Sequence, residues 1–312
     1  MDIGDVLEER RRKAAIAVGD ALTDKLNGER RKAVSFLIMT AVLWSLGGVL
    51  IKLVSWNPIA IAGARSAIAA LFILALVRRP HFTWSSAQIG AMIAYATTVI
   101  LFVAANKLTT AANAILLQYT SPIYAAFLSA WLLEERATWL DWVTIGVTMG
   151  GIALFFLDDL AISGLWGNVC AIASGVAFAV LAVLLRKQKE GVPLESVLLG
   201  NSLTALIGIP FMLRKAPAPA DWGVLLILGV VQLGFSYVLY SAAIKHVTAL
   251  DAILIPAVEP ILNPVWVFLA LREAPGPWAI FGGAIVLISV TARSVLSALL
   301  PAPGTGASTW YR

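Results

Sequence analysis

From about residue 33 to residue 299 the chain is a succession of apolar runs, each some 20 residues long and each closed by a charged, proline-bearing or glycine-bearing break. At ~1.5 Å of rise per residue, such a run wound as a helix crosses the ~30 Å hydrocarbon core of a bilayer. Backbone amides find no water in that core, so the runs must be helices. Ten candidates follow: 33–54, 58–77, 87–105, 110–132, 138–157, 164–184, 194–213, 222–243, 249–271 and 277–299. Only 13% of the residues are charged, against about 25% in soluble domains. The expected fold is an all-α polytopic membrane protein.

Orientation follows from the basic residues. With a cytoplasmic N-terminus, 17 Lys and Arg fall on the inner side and 5 on the outer, while Arg65 stays within a span. The positive-inside rule therefore supports ten crossings with both termini in the cytoplasm. Residues 1–32 carry eight of those basic residues and no apolar core of the kind a secretory signal needs. They read as a solvated cytoplasmic tail or as a surface helix on anionic lipid. Trp56, Trp84, Trp139, Trp166, Trp222 and Trp278 lie near span ends, as an interfacial belt requires. Trp44 and Trp266 lie inside spans, where each indole N–H needs a partner in protein or in a wet cavity. The single cysteine, Cys170, excludes a disulfide framework and a cysteine metal site. No metal or cofactor is implied, and nothing in the charge pattern asks for nucleic acid.

Sliding the chain over itself by 138 residues sets AANKLTTAANAILLQYTSP (104–122) against AAIKHVTALDAILIPAVEP (242–260), with nine identities in nineteen positions. Lys107 meets Lys245, Pro122 meets Pro260, and further on Glu135 meets Glu273. Five spans per copy is an odd number, so the second copy enters the membrane inverted. Two inverted halves around a midplane site are the architecture of secondary transporters.

The stretch SPIYAAFLSAWLLEE (121–135), its partner EPILNPVWVFLALRE (259–273) and the glycine-bearing WVTIGVTMGGIALF (142–155) resemble the pattern of the drug/metabolite transporter superfamily, in its EamA group. Within that group the chain looks most like bacterial exporters of aromatic and other neutral amino acids, the YddG type. The resemblance implies two five-helix repeats, at 33–157 and 164–300, flanked by tails at 1–32 and 301–312. It also implies a central cavity lined by spans 1, 3, 4, 6, 8 and 9, and a place in the bacterial inner membrane.

Candidate site residues come from polar groups inside spans. Glu259 lies near the middle of span 9, where a carboxyl is expensive in lipid and so faces the bundle interior. It is either a group at a substrate cavity or a carboxyl tied to a neighbouring helix. Pro256, Pro260 and Pro264 remove amide donors from one helix and free backbone carbonyls, and Pro122 does the same in span 4. These four positions are candidate helix breaks or hinges. Trp44, Tyr95, Gln118, Tyr119, Tyr237 and Tyr240 supply aromatic faces, hydroxyls and an amide, and Gln232 lies in the same span as the last two. Arg65 either partners an anionic group or snorkels to an interface. Lys107 and Lys245 read as interfacial anchors, and His81 and His246 as surface residues. Gly146 and Gly150 form a small-xxx-small pair, for packing within the chain or in a homodimer.

The functional expectation is export of small neutral metabolites, amino acids including aromatic ones foremost, by alternating access. Carriers of sugar phosphates or nucleotide sugars would need several intramembrane cations, and only Arg65 is available. The resemblance also argues against proton-coupled export of cationic drugs, because the small multidrug relatives keep an acid in span 1 and this chain has none there. An intramembrane enzyme would show a motif such as H-E-x-x-H or G-x-S-x-G, and none occurs.

Overall fold

The structure is a computed structural model that describes residue 25 and residues 27–158, 164–271 and 277–299. Most of the basic tail, the C-terminal tail, Glu273 and the side chain of Pro264 lie outside the described residues. Six helices are long and apolar enough to cross a membrane: α1 (Asn27–Leu53, with a turn at Leu46), α2 (Pro58–Val77), α3 (Ser86–Leu108), α7 (Leu165–Lys187), α8 (Pro193–Met212) and α9 (Asp221–Ala243). They are the first three of each repeat. Between and after them come α4 (Ala111–Gln118), α5 (Ser121–Leu132), α6 (Trp139–Asp158), α10 (Ala249–Leu254), α11 (Glu259–Leu271) and α12 (Pro277–Leu299). All described regular structure is helical, and the chain is a multi-pass membrane protein.

Two of the runs are broken where prolines marked candidate breaks. Span 4 is interrupted between Gln118 and Ser121, and span 9 passes from α10 through a 3-10 segment, Ile255–Val258, into α11. The breaks fall at Pro122 and at Pro256 and Pro260, because each ring withholds an amide from the preceding turn. A third irregularity had no proline to announce it: within α9, residues Ile227–Phe235 wind as a π-helix.

Helices in corresponding places of the two repeats pack on each other, α2 against α8 and α6 against α12, and α3 packs along α7. Such mate-on-mate contacts arise where two related halves meet across an axis. Gly63 and Gly208 make the first contact very close: a Cβ on Gly63 would lie 2.6 Å from the Cα of Gly208. Gly151 brings α6 against Gly282 of α12 in the same way. Gly146 and Gly150, in contrast, meet nothing within 4 Å. Among the described residues, then, neither makes a close helix contact.

Candidate functional site

The two breaks meet. Pro260 cannot donate to the carbonyl of Pro256, and that oxygen instead accepts from the Glu259 N–H of the 3-10 turn and from the Tyr119 hydroxyl at 2.7 Å. The same hydroxyl lies 3.0 Å from Glu259 Oε2. Tyr119 occupies the gap between α4 and α5, so the irregular turn of one repeat is bonded to the irregular turn of the other. All three groups are buried, where an unbonded carbonyl would cost about 1–3 kcal/mol.

Beside this contact lies a small cavity of about 40 Å3. The breaks contribute Gln118, Tyr119, Ser121 and Glu259 to its wall. Helix α1 contributes Trp44 and α2 contributes Arg65; Thr98, Val99 and Phe102 come from α3. Phe178 of α7 and Gln232, Leu233 and Tyr237 of α9 complete it. Both repeats therefore build the wall.

Its aromatic part is a packed cluster centred on Trp44. The indole meets Tyr237 at 5.1 Å, Tyr240 at 5.2 Å and Phe178 edge-on at 5.6 Å between centroids. Its N–H donates to Ser236 Oγ at 2.9 Å, so this in-span tryptophan finds its partner in protein. Trp266 does likewise, donating to Ser45 Oγ at 2.8 Å. Gln118 donates to Ser174 Oγ at 2.7 Å, and the Ser174 hydroxyl donates to the Thr98 carbonyl at 3.0 Å. This chain ties the end of α4 to α7 and α3.

Of the candidates read from sequence, Trp44, Gln118, Tyr119, Tyr237 and Glu259 lie on the cavity wall. Tyr95 and Tyr240 do not. They stand behind it, Tyr95 against Tyr237 with centroids 4.8 Å apart and Tyr240 against Trp44 and Phe178. Pro122, Pro256 and Pro260 shape the two breaks, and Pro264 lies farther along α11. Arg65, left between two roles by the sequence, is 1% exposed and reaches the wall, where its Nη1 donates to Gln232 Oε1 at 3.1 Å. It does not snorkel. Phe102 and Phe178 escaped sequence reading because an apolar ring in an apolar span carries no signal. Thr98 and Ser174 each sit among small residues and had none either.

At the other end of α5 and α10 is a charged cluster. Arg293 of α12 is clasped by Asp141 of α6, at 2.6 Å from Nη2, and by Asp251 of α10. Nearby, Glu135 pairs with Arg186 at 2.8 Å and accepts from the Ala249 N–H at 3.0 Å, capping α10. Lys107 and Lys245, at span ends, bond to backbone carbonyls. Lys107 donates to the Val54 carbonyl at 2.6 Å and Lys245 to the Gly191 carbonyl at 2.6 Å. Each closes the chain just beyond the first helix of its own repeat, α1 or α7, because carbonyls there have no helical donor and attract a cation. His246 is exposed, 3.7 Å from Glu29.

A multi-pass helical bundle with a buried, charged and aromatic cavity shared by two repeats is the build of a small-molecule transporter. The model of the EamA-like transporter family matches residues 31–157 and again residues 165–294. The chain belongs to that family. An uncharacterized transporter of Archaeoglobus fulgidus is 24% identical over 255 residues, 81% of this chain and 93% of that protein. An uncharacterized transporter of Synechocystis is 24% identical over 223 residues, 66% of this chain and 64% of that one. A solved crystal structure shares the fold with a TM-score of 0.72 at 18% identity, covering 87% of this chain and all of that one.

Proposed function

We propose that the chain is a secondary transporter of the bacterial inner membrane that exports small neutral metabolites, with amino acids, aromatic ones included, as its substrates. The reading takes ten crossings, both termini in the cytoplasm, and a single chain as the transporting unit. The observation that carries it is the cavity at the meeting of the two broken helices. Its wall offers ring faces for an apolar side chain and hydrogen-bonding groups for a polar backbone. Breaks in both halves beside one site also fit alternating access, since helix ends that already lack regular bonds can bend at low cost. A phosphate-bearing substrate fits less well, because among the described residues Arg65 is the one cation on the wall and the carboxyl of Glu259 lies there too.

The test is efflux from liposomes that hold the purified chain and are preloaded with each of the twenty labelled amino acids in turn. Saturable efflux of at least one, faster than from protein-free liposomes, is the expected result. Efflux no faster than from empty liposomes across the panel contradicts the substrate assignment.

A further inference from the structure

We infer that Arg65 and Gln232 form an anion subsite in the cavity wall that takes a substrate carboxylate, so that the transporter selects molecules with a free carboxylate. The inference rests on the transporter reading and narrows it. A guanidinium has five N–H donors and no acceptor. Among the described residues only Nη1 of Arg65 has a bond, to a neutral amide oxygen, while Nε is buried with no partner. None of the ion pairs among the described residues includes Arg65. A charge buried without a counter-ion is expensive to keep. A carboxylate entering the cavity would supply the missing charge and the two-pronged acceptor that a guanidinium fits best.

The surrounding backbone holds the pair in place. The π-helical stretch of α9 brings Gly229 onto α2, where a Cβ would lie 2.5 Å from Ile68 Cβ and 2.8 Å from the carbonyl oxygen of Arg65 itself. One turn on, Gln232 is wedged by Gly47 of α1, whose Cβ would lie 2.9 Å from its Nε2. Its amide nitrogen therefore faces α1 and its oxygen faces the guanidinium. A π-helical stretch costs regular hydrogen bonding and recurs at functional sites; here it sets a neutral acceptor, and not an acid, beside Arg65. An acid there would have neutralised the arginine and left nothing for a ligand.

The carboxylate on the wall, Glu259, is engaged by Tyr119 and makes no ion pair with Arg65. One cavity thus holds a cation and a carboxyl that do not consume each other. A zwitterion satisfies both, its carboxylate at Arg65 and its ammonium at Glu259, with its side chain against the aromatic cluster.

The experiment compares three forms of each amino acid found to be carried in the liposome assay: the free acid, its carboxamide and its decarboxylated amine. Hydrogen bonds to charged groups predict that the acid is preferred by about tenfold to a hundredfold. Arg65→Gln is expected to bring the ratio of acid to amide and amine rates close to one, whatever the change in overall rate, and Arg65→Lys to retain part of the preference. Equal transport of the three forms by the unaltered protein overturns the subsite while leaving the transporter reading intact. So does an Arg65→Gln protein that loses all three forms equally while Arg65→Lys behaves normally, since that pattern marks a structural cation. Absence of efflux for every amino acid overturns both.

Discussion

At the scale of single residues, the contact of Tyr119 with Pro256 and Glu259 concentrates the most chemistry in the fewest atoms. One phenolic proton faces two acceptors, the freed carbonyl and the carboxyl oxygen. When Glu259 is ionised the two compete for it. A protonated Glu259 can instead donate to the phenol oxygen, leaving the phenol proton to the carbonyl. Tyr119→Phe removes the hydroxyl from both the Glu259 carboxyl and the Pro256 carbonyl, which keeps the Glu259 N–H, and should cost about 0.5–1.5 kcal/mol, read as a lower melting temperature of the detergent-solubilised protein. Glu259→Gln removes the titration altogether. An ionised carboxylate attracts a substrate ammonium and a protonated one does not, so transport by the unaltered protein should fall as acid protonates Glu259. The Glu259→Gln protein should show a flatter rate-against-pH profile; an unchanged profile would assign Glu259 to structure alone.

Elements are held by two different devices, close glycine contacts and buried charge pairs, and these predict different costs. Gly208→Ala places a methyl where the backbone of α2 already stands, and the helices must part, at about 1–3 kcal/mol. Gly146→Ala meets open space and should be neutral or stabilising by about 0.4–1 kcal/mol, because alanine restricts the unfolded chain. Thermal unfolding of the two variants side by side checks the contrast. The clasp of Arg293 joins α6, α10 and α12 at one end of the bundle. Arg293→Met leaves two buried carboxylates facing each other and should cost about 3–5 kcal/mol. Asp251→Asn leaves Arg293 paired with Asp141 and should cost clearly less.

The elements also show where sequence reading succeeds and stops. Apolar run length placed the long helices because bilayer thickness leaves a chain little choice. The proline positions foretold the two breaks, since a missing amide acts through local geometry alone. The π-helical stretch of α9 has no such local cause: Gly229 and Gly234 are ordinary glycines until α2 is packed against them. The same holds for charge. Arg293 counted in the sequence as one more basic residue on the inner side, yet its partners come from positions 152 and 42 residues away. Arg65 could be recognised as intramembrane, but its fate depended on which face of α2 meets α9. Tyr95 and Tyr240 were chosen by residue type, and only packing separates a ring on the wall from a ring behind it.

In the whole molecule, two repeats touch by their irregular turns at a shared cavity, which is the proposed place of the transported molecule. Ser121 lies on that wall, 1% exposed, at the first residue of α5 and opposite Glu259 in the internal alignment. A Ser121→Cys protein with Cys170→Ala carries one thiol, inside the cavity. The decisive measurement is the rate at which a small maleimide modifies that thiol in liposomes, with and without a saturating amino acid that the protein carries. The account predicts that the carried amino acid slows labelling at least about tenfold while one that is not carried has no effect. Labelling at an unchanged rate under saturating, actively transported substrate would contradict it, and would move the transport path away from the meeting of the two broken helices.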